Sequence, residues 1–259
     1  MNKKLLKTVY CSAFAAAELI LWVLVVTIDG ADAVNALCYC SVLLAFLFSL
    51  SWLKRGVNSV VISVALFFTA CADYCLVIDL TAPYELALVF FSVVQISYCV
   101  LLYINQTTRQ RKIHLIVRGA VIVVALAVTE AVLKGKADFL SLITIFYFSN
   151  LVCNFAFSCV QFKTYAMFAV GLLCFIGCDL LVGLGYAQGV YFDLPVGSFL
   201  YNVTHIDFNL IWTFYIPSQT LISLTSAVLP TRKKRNETKS TKTSEKDTNS
   251  EFLLNHTKA

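Results

Sequence analysis

The chain has 259 residues, of which 59% are hydrophobic and only 14% are charged. Soluble domains are about half apolar and a quarter charged, so this composition excludes a water-soluble single domain. It also excludes a disordered chain and a nucleic-acid binder built on a basic domain, because both need far more charge. The apolar residues come in blocks of about 20, the length that crosses ~30 Å of hydrocarbon as a helix. The sequence therefore predicts an all-α integral membrane protein with several spans.

Polar breaks between the apolar blocks predict an eight-helix transmembrane bundle. The predicted spans are residues 8–28, 34–53, 57–79, 85–104, 113–133, 139–162, 165–186 and 204–229. Each span must be helical, because lipid offers no hydrogen-bond partner to a backbone group. The polytopic domain is thus predicted to cover residues 1–229. A polar tail rich in Lys, Thr and Ser follows at 230–259 and is predicted to be disordered.

Basic residues are concentrated on one side of the predicted bundle. Of the 20 Lys and Arg residues, only Lys134 and Lys136 fall in connections on the other side. Arg118 is counted with the cations of the connection after the fourth span. The positive-inside rule therefore predicts that both termini are cytoplasmic, as an even number of spans requires. An alternative reading takes the first span as a secretory signal, but its apolar stretch is long for one and contains Glu18.

The ten cysteines are scattered through the spans. Two pairs, Cys71 with Cys75 and Cys174 with Cys178, have a helical i,i+4 spacing beside an aspartate. This spacing could present two thiolates to a metal, but those helices lack the histidines that would complete such a site. We predict small packing residues here, with neither a metal nor another cofactor.

Four carboxylates lie well inside the predicted spans, at Glu18, Asp73, Glu130 and Asp179. An ionisable group within a membrane is costly, so each is a candidate functional residue. Asp73 and Asp179 form a matched pair: small residues precede both, and each lies ~24–27 Å beyond the nearest basic residue of its span at ~1.5 Å per residue. We expect both carboxyls to face one cavity in the outer half of the membrane. The alternative is a lone buried acid bonded to a Ser, Tyr or Asn of a neighbouring helix.

The other two acids are less informative, because Glu130 is near its helix end and Glu18 lies in an Ala-rich stretch. For both of them, function and simple packing remain open. The matched acids in the third and seventh spans also allow two related four-helix halves.

Four stretches with a common order and spacing carry a family resemblance. They are Phe67-Phe68-Thr-Ala-Cys-Ala-Asp73, Gln95-Ile-Ser-Tyr98, Gly171-Leu-Leu-Cys-Phe175-Ile-Gly-Cys-Asp179 and Tyr215-Ile-Pro-Ser-Gln219. With these motifs the sequence resembles the YhhN-type integral membrane proteins, whose characterised members are lysoplasmalogenases. The chain departs from the family pattern in three places, where Ala72 replaces a glycine, Cys178 a serine and Gln95 a histidine.

The resemblance implies an eight-helix fold and hydrolysis of the vinyl-ether bond of a lysoplasmalogen, a lysophospholipid taken from the bilayer. That bond is inert to base and breaks when an acid protonates its β-carbon, so one protonated and one ionised carboxyl are needed around a water. The pair Asp73 and Asp179 suits this role and is predicted to be catalytic. Five polar residues are predicted to bind substrate or support the pair: Tyr74, Gln95, Tyr98, Tyr215 and Gln219.

Two other functions remain open at this point. Matched acids in two halves also suit a proton-coupled small-molecule transporter. Transporters often have helices broken by Gly or Pro at the binding site, however, and here only one proline, Pro217, lies inside a span, without a counterpart in the other half. A lipid-binding membrane protein without chemistry is the second alternative. All three functions predict a multi-pass integral membrane protein, which would lie in the cell membrane if the source is bacterial. The predicted partner is the lipid bilayer, and no nucleic acid is expected to bind.

Overall fold

The computed structural model of the protein describes residues 3–28, 30–135, 137–188, 194–204 and 210–229. Within these residues all regular elements are helical. The helices are α1 (Lys3–Thr27), α2 (Ala31–Leu50), α3 (Val57–Asp73), α4 (Tyr84–Ile104), α5 (Thr108–Leu133), α6 (Phe139–Val160), α7 (Phe162–Ala187), α8 (Phe199–Thr204) and α9 (Leu210–Val228). A 3-10 turn, Leu53–Arg55, follows α2, and a π-helical turn, Tyr74–Ile78, extends α3. The predicted disordered tail lies outside the described residues.

In the described part of the chain, seven helical stretches, containing α1 to α7, are long and apolar enough to cross a membrane. The last helix, α9, has 19 residues but carries Thr, Ser, Gln and Pro side chains among its apolar ones. The chain is therefore a multi-pass α-helical membrane protein, as predicted. The count of eight spans stays a prediction.

The beginning of α1 and the end of α9 lie at the same end of the bundle. Lys7 Nζ of α1 donates a hydrogen bond to the Ala227 carbonyl at 2.6 Å. Arg55, which follows α2, donates to the Leu229 carbonyl at 3.0 Å. Lysine and arginine side chains thus bond carbonyls at the C-terminal end of α9, where the helix itself offers no further N–H donors.

Helix α9 packs against α7, α1, α2 and α3, so it is central to the bundle. Its Pro217 lacks the N–H that would bond the Thr213 carbonyl four residues earlier. The Trp22 indole of α1 donates to this carbonyl instead, at 3.3 Å. On the α7 side, Gly171 permits close contact, because an added Cβ would stand only 3.2 Å from the Ser218 carbonyl oxygen.

Helix α5 is peripheral, and it packs mainly against α6. Of its 26 residues only His114 and Arg118 are buried. The interpretation of Arg118 as a cation of the connecting loop is therefore wrong. The helix begins at Thr108, where the Thr107 hydroxyl and the Gln110 side chain form a capping box, so Arg118 lies ~15 Å inside the helix.

Candidate functional site

The bundle contains a partly open cavity of about 590 Å³, and the side chains of Asp73 and Asp179 both line it. Residues of α2, α3, the π turn, α4, α5, α6, α7 and α9 contribute to its wall. The two carboxyls come from α3 and α7, which are distant in sequence, and both border the same space. The geometry thus places the two matched acids in one space.

Asp73 ends α3 and is only 3% exposed. Its Oδ2 accepts a hydrogen bond from the Tyr215 hydroxyl of α9 at 2.6 Å. The chain widens into the π turn directly after this residue, and Asp79 N–H bonds back to the Tyr74 carbonyl at 2.8 Å. Such turns occur frequently at functional sites.

Asp179 lies in α7 and is partly exposed to the cavity. Its Oδ2 accepts a hydrogen bond from the Tyr147 hydroxyl of α6. Each aspartate therefore has one tyrosine donor, supplied by a different helix. This matched arrangement orients both carboxyls while only one oxygen of each is used for the contact.

A row of aromatic rings connects the two tyrosines. The rings follow in the order Tyr147, Phe91, Phe175 and Tyr215. Their successive centroid distances are 5.7, 5.9 and 5.5 Å. The last two contacts are edge-to-face and the first is tilted, and such ring packing restricts ring orientation. Packing thus fixes the two hydroxyl donors relative to one another.

The remainder of the cavity wall is mostly apolar, with residues such as Leu76, Leu88 and Val182. Among the described residues that line it there is no Lys, Arg or His. Ionising both carboxyls would place two negative charges in a space of low polarity without a counter-ion. The pair is therefore suited to holding one proton between its two members.

The structure separates the five predicted supporting residues. Tyr215 bonds Asp73 and lines the cavity. Tyr74 is 46% exposed on the π turn, where its ring contacts Tyr39 edge-on at 6.0 Å, and it does not line the cavity. Gln95, Tyr98 and Gln219 are fully buried and lie outside the cavity wall.

Sequence reasoning missed several polar residues of the cavity, among them Tyr147 and Asn35. Tyr147, the donor to Asp179, lies in an aromatic stretch of α6 that matches none of the four motifs. Asn35 in the first turns of α2 also lines the cavity. A search for polar side chains at the predicted depth in all spans would have found Tyr147, whereas Asn35 lies near a helix start, where polar residues are ordinary.

The two other intramembrane acids are not part of this site. Glu18 is buried between α1 and α2, where its Oε2 accepts from the Ser41 hydroxyl at 2.5 Å, and it lines a separate groove against α9. The Glu130 side chain is exposed in the last turn of α5. Neither acid lines the cavity that holds Asp73 and Asp179.

A second buried cluster surrounds the Arg118 guanidinium. It donates to Asn150 Oδ1 and Asn154 Oδ1 of α6, both at 2.6 Å. It also donates to His114 Nε2, at 3.0 Å from Nη2. Since arginine only donates, His114 Nε2 must accept, and its proton is on Nδ1, 2.9 Å from Gln106 Oε1. Neutral acceptors thus surround this cation.

At the rim of the cavity, Asp138 caps the first turn of α6. Its Oδ1 accepts from the hydroxyl and the N–H of Ser141, which lines the cavity. These two hydrogen bonds favour the ionised carboxylate and lower the pKa of Asp138. The residue therefore fixes the place where α6 begins and positions a hydroxyl of the wall.

The chain matches the YhhN family over residues 34–226. The match covers most of the chain, including every helix that contributes to the cavity, so the chain belongs to the YhhN family. No curated protein and no solved structure was found to match it.

Proposed function

We propose that this member of the YhhN family is a hydrolase that cleaves the vinyl-ether bond of a lysophospholipid, with Asp73 and Asp179 as its acid/base pair. One observation supports the proposal above all: two carboxyls, each bonded by its own tyrosine, line one largely apolar cavity of about 590 Å³. A cavity of this kind combines acid chemistry with space for an aliphatic chain.

The reaction begins with transfer of a proton from one carboxyl to the β-carbon of the vinyl ether, leaving an oxocarbenium ion on the ether side. Water adds to the α-carbon while the ionised carboxyl takes a proton from it, which gives a hemiacetal. The first carboxyl has lost a proton and the second has gained one. The pair therefore still holds a single proton, as at the start.

Collapse of the hemiacetal reverses these roles. The protonated carboxyl gives its proton to the departing ether oxygen, and the ionised one takes the proton of the hemiacetal hydroxyl. The products are a fatty aldehyde and a glycerophospho head group, and the original protonation state returns. Tyr147 and Tyr215 hold the two carboxyls in place through both steps.

The substrate fits the surroundings of this site. A lysophospholipid resides in the bilayer, and its alkenyl chain matches the apolar walls formed by residues such as Leu76 and Val182. We also propose that α9 is an eighth span and that both termini are cytoplasmic. The contact between Lys7 and Ala227 supports this topology, since an even number of crossings puts both chain ends on one face.

The decisive experiment compares a lysoplasmalogen with its saturated alkyl-ether analogue, using purified protein and measuring aldehyde release. We expect aldehyde from the alkenyl substrate alone, and none after Asp73→Asn or Asp179→Asn. Glu18→Gln is the matched control, because it neutralises a buried carboxyl outside the cavity. Release from neither substrate, or equal release from both, would contradict the proposal.

The same preparation tests the two alternative functions. In proteoliposomes, proton movement driven by a solute, without any product, would favour the proton-coupled transporter. Lipid binding that survives both aspartate substitutions, with neither hydrolysis nor proton movement, would favour a non-enzymatic lipid-binding protein.

A further inference from the structure

Polar side chains form a buried stripe beneath Asp73, along the contact between α3 and α9. At one end of the stripe, the Ser59 hydroxyl donates to the Ser226 carbonyl at 2.9 Å. At the other end, the Tyr215 hydroxyl donates to Asp73. The two ends are ~17–21 Å apart at ~1.5 Å per residue. Buried polar side chains between them are Ser63, Thr69, Ser218, Gln219 and Ser223.

Helix α4 adds two more polar side chains to this stripe. It runs antiparallel to α3, and Asn105 near its end donates to Asn58 Oδ1 at 2.9 Å. Gln95 is ten residues earlier, ~15 Å further into the bundle, and so lies about one turn below Asp73. Tyr98 lies on the same stretch, and its side chain is fully buried.

Several polar atoms of the stripe have no hydrogen-bond partner within the described residues. They are Ser63 Oγ, Gln95 Nε2, the Tyr98 hydroxyl, Ser218 Oγ and both side-chain polar atoms of Gln219. A buried polar atom without a partner costs ~1–3 kcal/mol, and in proteins such atoms are normally satisfied by ordered water. Five such side chains along one stripe indicate hydration rather than five separate defects.

We propose that this stripe on α3, α4 and α9 is a hydrated path, which conducts water from the Arg55 end of the bundle to Asp73 and Tyr215. Its ligand is water, held in turn by serine hydroxyls and glutamine amides. It also accounts for Gln95, Tyr98 and Gln219, which are polar and fully buried although they do not line the cavity.

The use of this water rests on the proposed function. Hydrolysis of a vinyl ether consumes one water per turnover, and the cavity itself has mostly apolar walls that a lipid chain would fill. A path that reaches Asp73 from the Arg55 end of the bundle supplies water from the side opposite to the lipid. The existence of the path is testable without any activity.

The first test is hydroxyl-radical footprinting by X-ray radiolysis of the purified full-length protein, read by mass spectrometry. Radicals formed from bound water label the side chains beside it. Tyr98 is 0% exposed, and Phe14, in a separate apolar cluster, is 5% exposed. We expect Tyr98 to be labelled several-fold faster than Phe14, although Tyr98 is the less exposed of the two. Equal, slow labelling of both would overturn the path.

The second test changes the path itself. Gln219→Leu replaces the amide by an apolar side chain and should lower both the labelling of Tyr98 and kcat, with KM for the lysoplasmalogen unchanged. Thr225→Val is the matched control on the same helix, because the Thr225 hydroxyl bonds the Leu221 carbonyl of its own helix. Unchanged Tyr98 labelling in a folded Gln219→Leu protein would contradict the path.

A cysteine scan gives a further measurement that does not depend on turnover. In a background from which reactive native cysteines are removed, Ser63→Cys should react with a small water-soluble thiosulfonate. Its neighbour Ile62, also buried, belongs to the apolar core, so Ile62→Cys should remain unreactive. Equal reactivity at the two positions would overturn the proposal. Labelling of the path without aldehyde release would instead leave the path standing and contradict the hydrolase function.

Discussion

Two buried charged regions lie within one turn of each other on α6, and they are built in opposite ways. Tyr147 of α6 bonds Asp179 in the cavity, and Asn150, one turn further along, bonds Arg118. The acids face a partly open cavity, with one oxygen of each bonded by a tyrosine. The guanidinium is instead surrounded by amide and imidazole acceptors from α5 and α6.

This difference separates two uses of charge inside a membrane. A charge whose partners are saturated and fixed stabilises helix packing, because moving either helix would expose the ion. A charge that faces a cavity remains available to a substrate. Burial and charge alone therefore do not distinguish a reactive site from a structural one, whereas the space beside the group does.

Substituting Asp73 or Asp179 should have the largest effect on aldehyde release and should leave the stability of the protein nearly unchanged. Asp73→Asn and Asp179→Asn keep the shape of the side chain but remove its proton transfer, so we expect aldehyde release to fall by ~10²–10⁴-fold. Rates are measured on protein that elutes as a single species in size-exclusion chromatography. Near-normal rates in both variants would remove the distinction between the two regions.

Substituting Arg118 should produce the opposite pattern. Arg118→Leu leaves Asn150, Asn154 and His114 buried without their donor, and we expect a loss of ~1–3 kcal/mol of stability for each stranded acceptor. Arg118→Lys should rescue it only in part, because an ammonium cannot match the planar donor set of a guanidinium. Thermal unfolding in detergent measures the loss. Unchanged unfolding with abolished turnover would mean that the cluster acts in the reaction.

Removing one tyrosine hydroxyl should have an intermediate effect. Tyr147→Phe or Tyr215→Phe takes one hydrogen bond from a carboxyl, and we expect kcat to fall about 10-fold, or ~1.5 kcal/mol in the barrier. Tyr10→Phe, whose hydroxyl bonds Ser51 far from the cavity, is the control. If the control loses as much activity as the other two, the tyrosines have no special role.

The smallest effect is expected at the rim of the cavity. Hydrogen bonds from Ser141 lower the pKa of Asp138, so its contribution to stability is present above the ordinary aspartate value of about 3.9 and is lost as pH falls through the lower folded value. Asp138→Ala should lower Tm slightly at neutral pH. Asp138→Asn should keep the cap but lose the pH dependence. Identical pH curves for the Asp138→Asn variant and the native protein would contradict this role.

Much of this architecture could be predicted from sequence because lipid imposes simple rules. Hydropathy alone predicts the class of the protein, and the cost of an ion in a span singles out Asp73 and Asp179. The comparison of depths also depends only on a fixed rise per residue. These predictions need no knowledge of which helices are neighbours.

The rest depends on helix neighbours and could not be predicted in the same way. Tyr147 becomes a donor only because α6 packs against α7, and nothing in its local sequence marks it. The sequence favours a loop position for Arg118, because positive charge near a span end usually indicates topology. Two asparagines and a histidine, spread over two helices, make its burial possible.

The bond between Trp22 and the Thr213 carbonyl has a consequence for the first helix. Residues 34–226 match the family, so α1 lies outside the matched region, yet its indole completes the backbone of α9 at Pro217. Tyr215 is only two residues from Thr213. A truncation that removes α1 would therefore remove this hydrogen bond close to the donor to Asp73, and we expect damage far from any motif to reach the acid pair through the main chain.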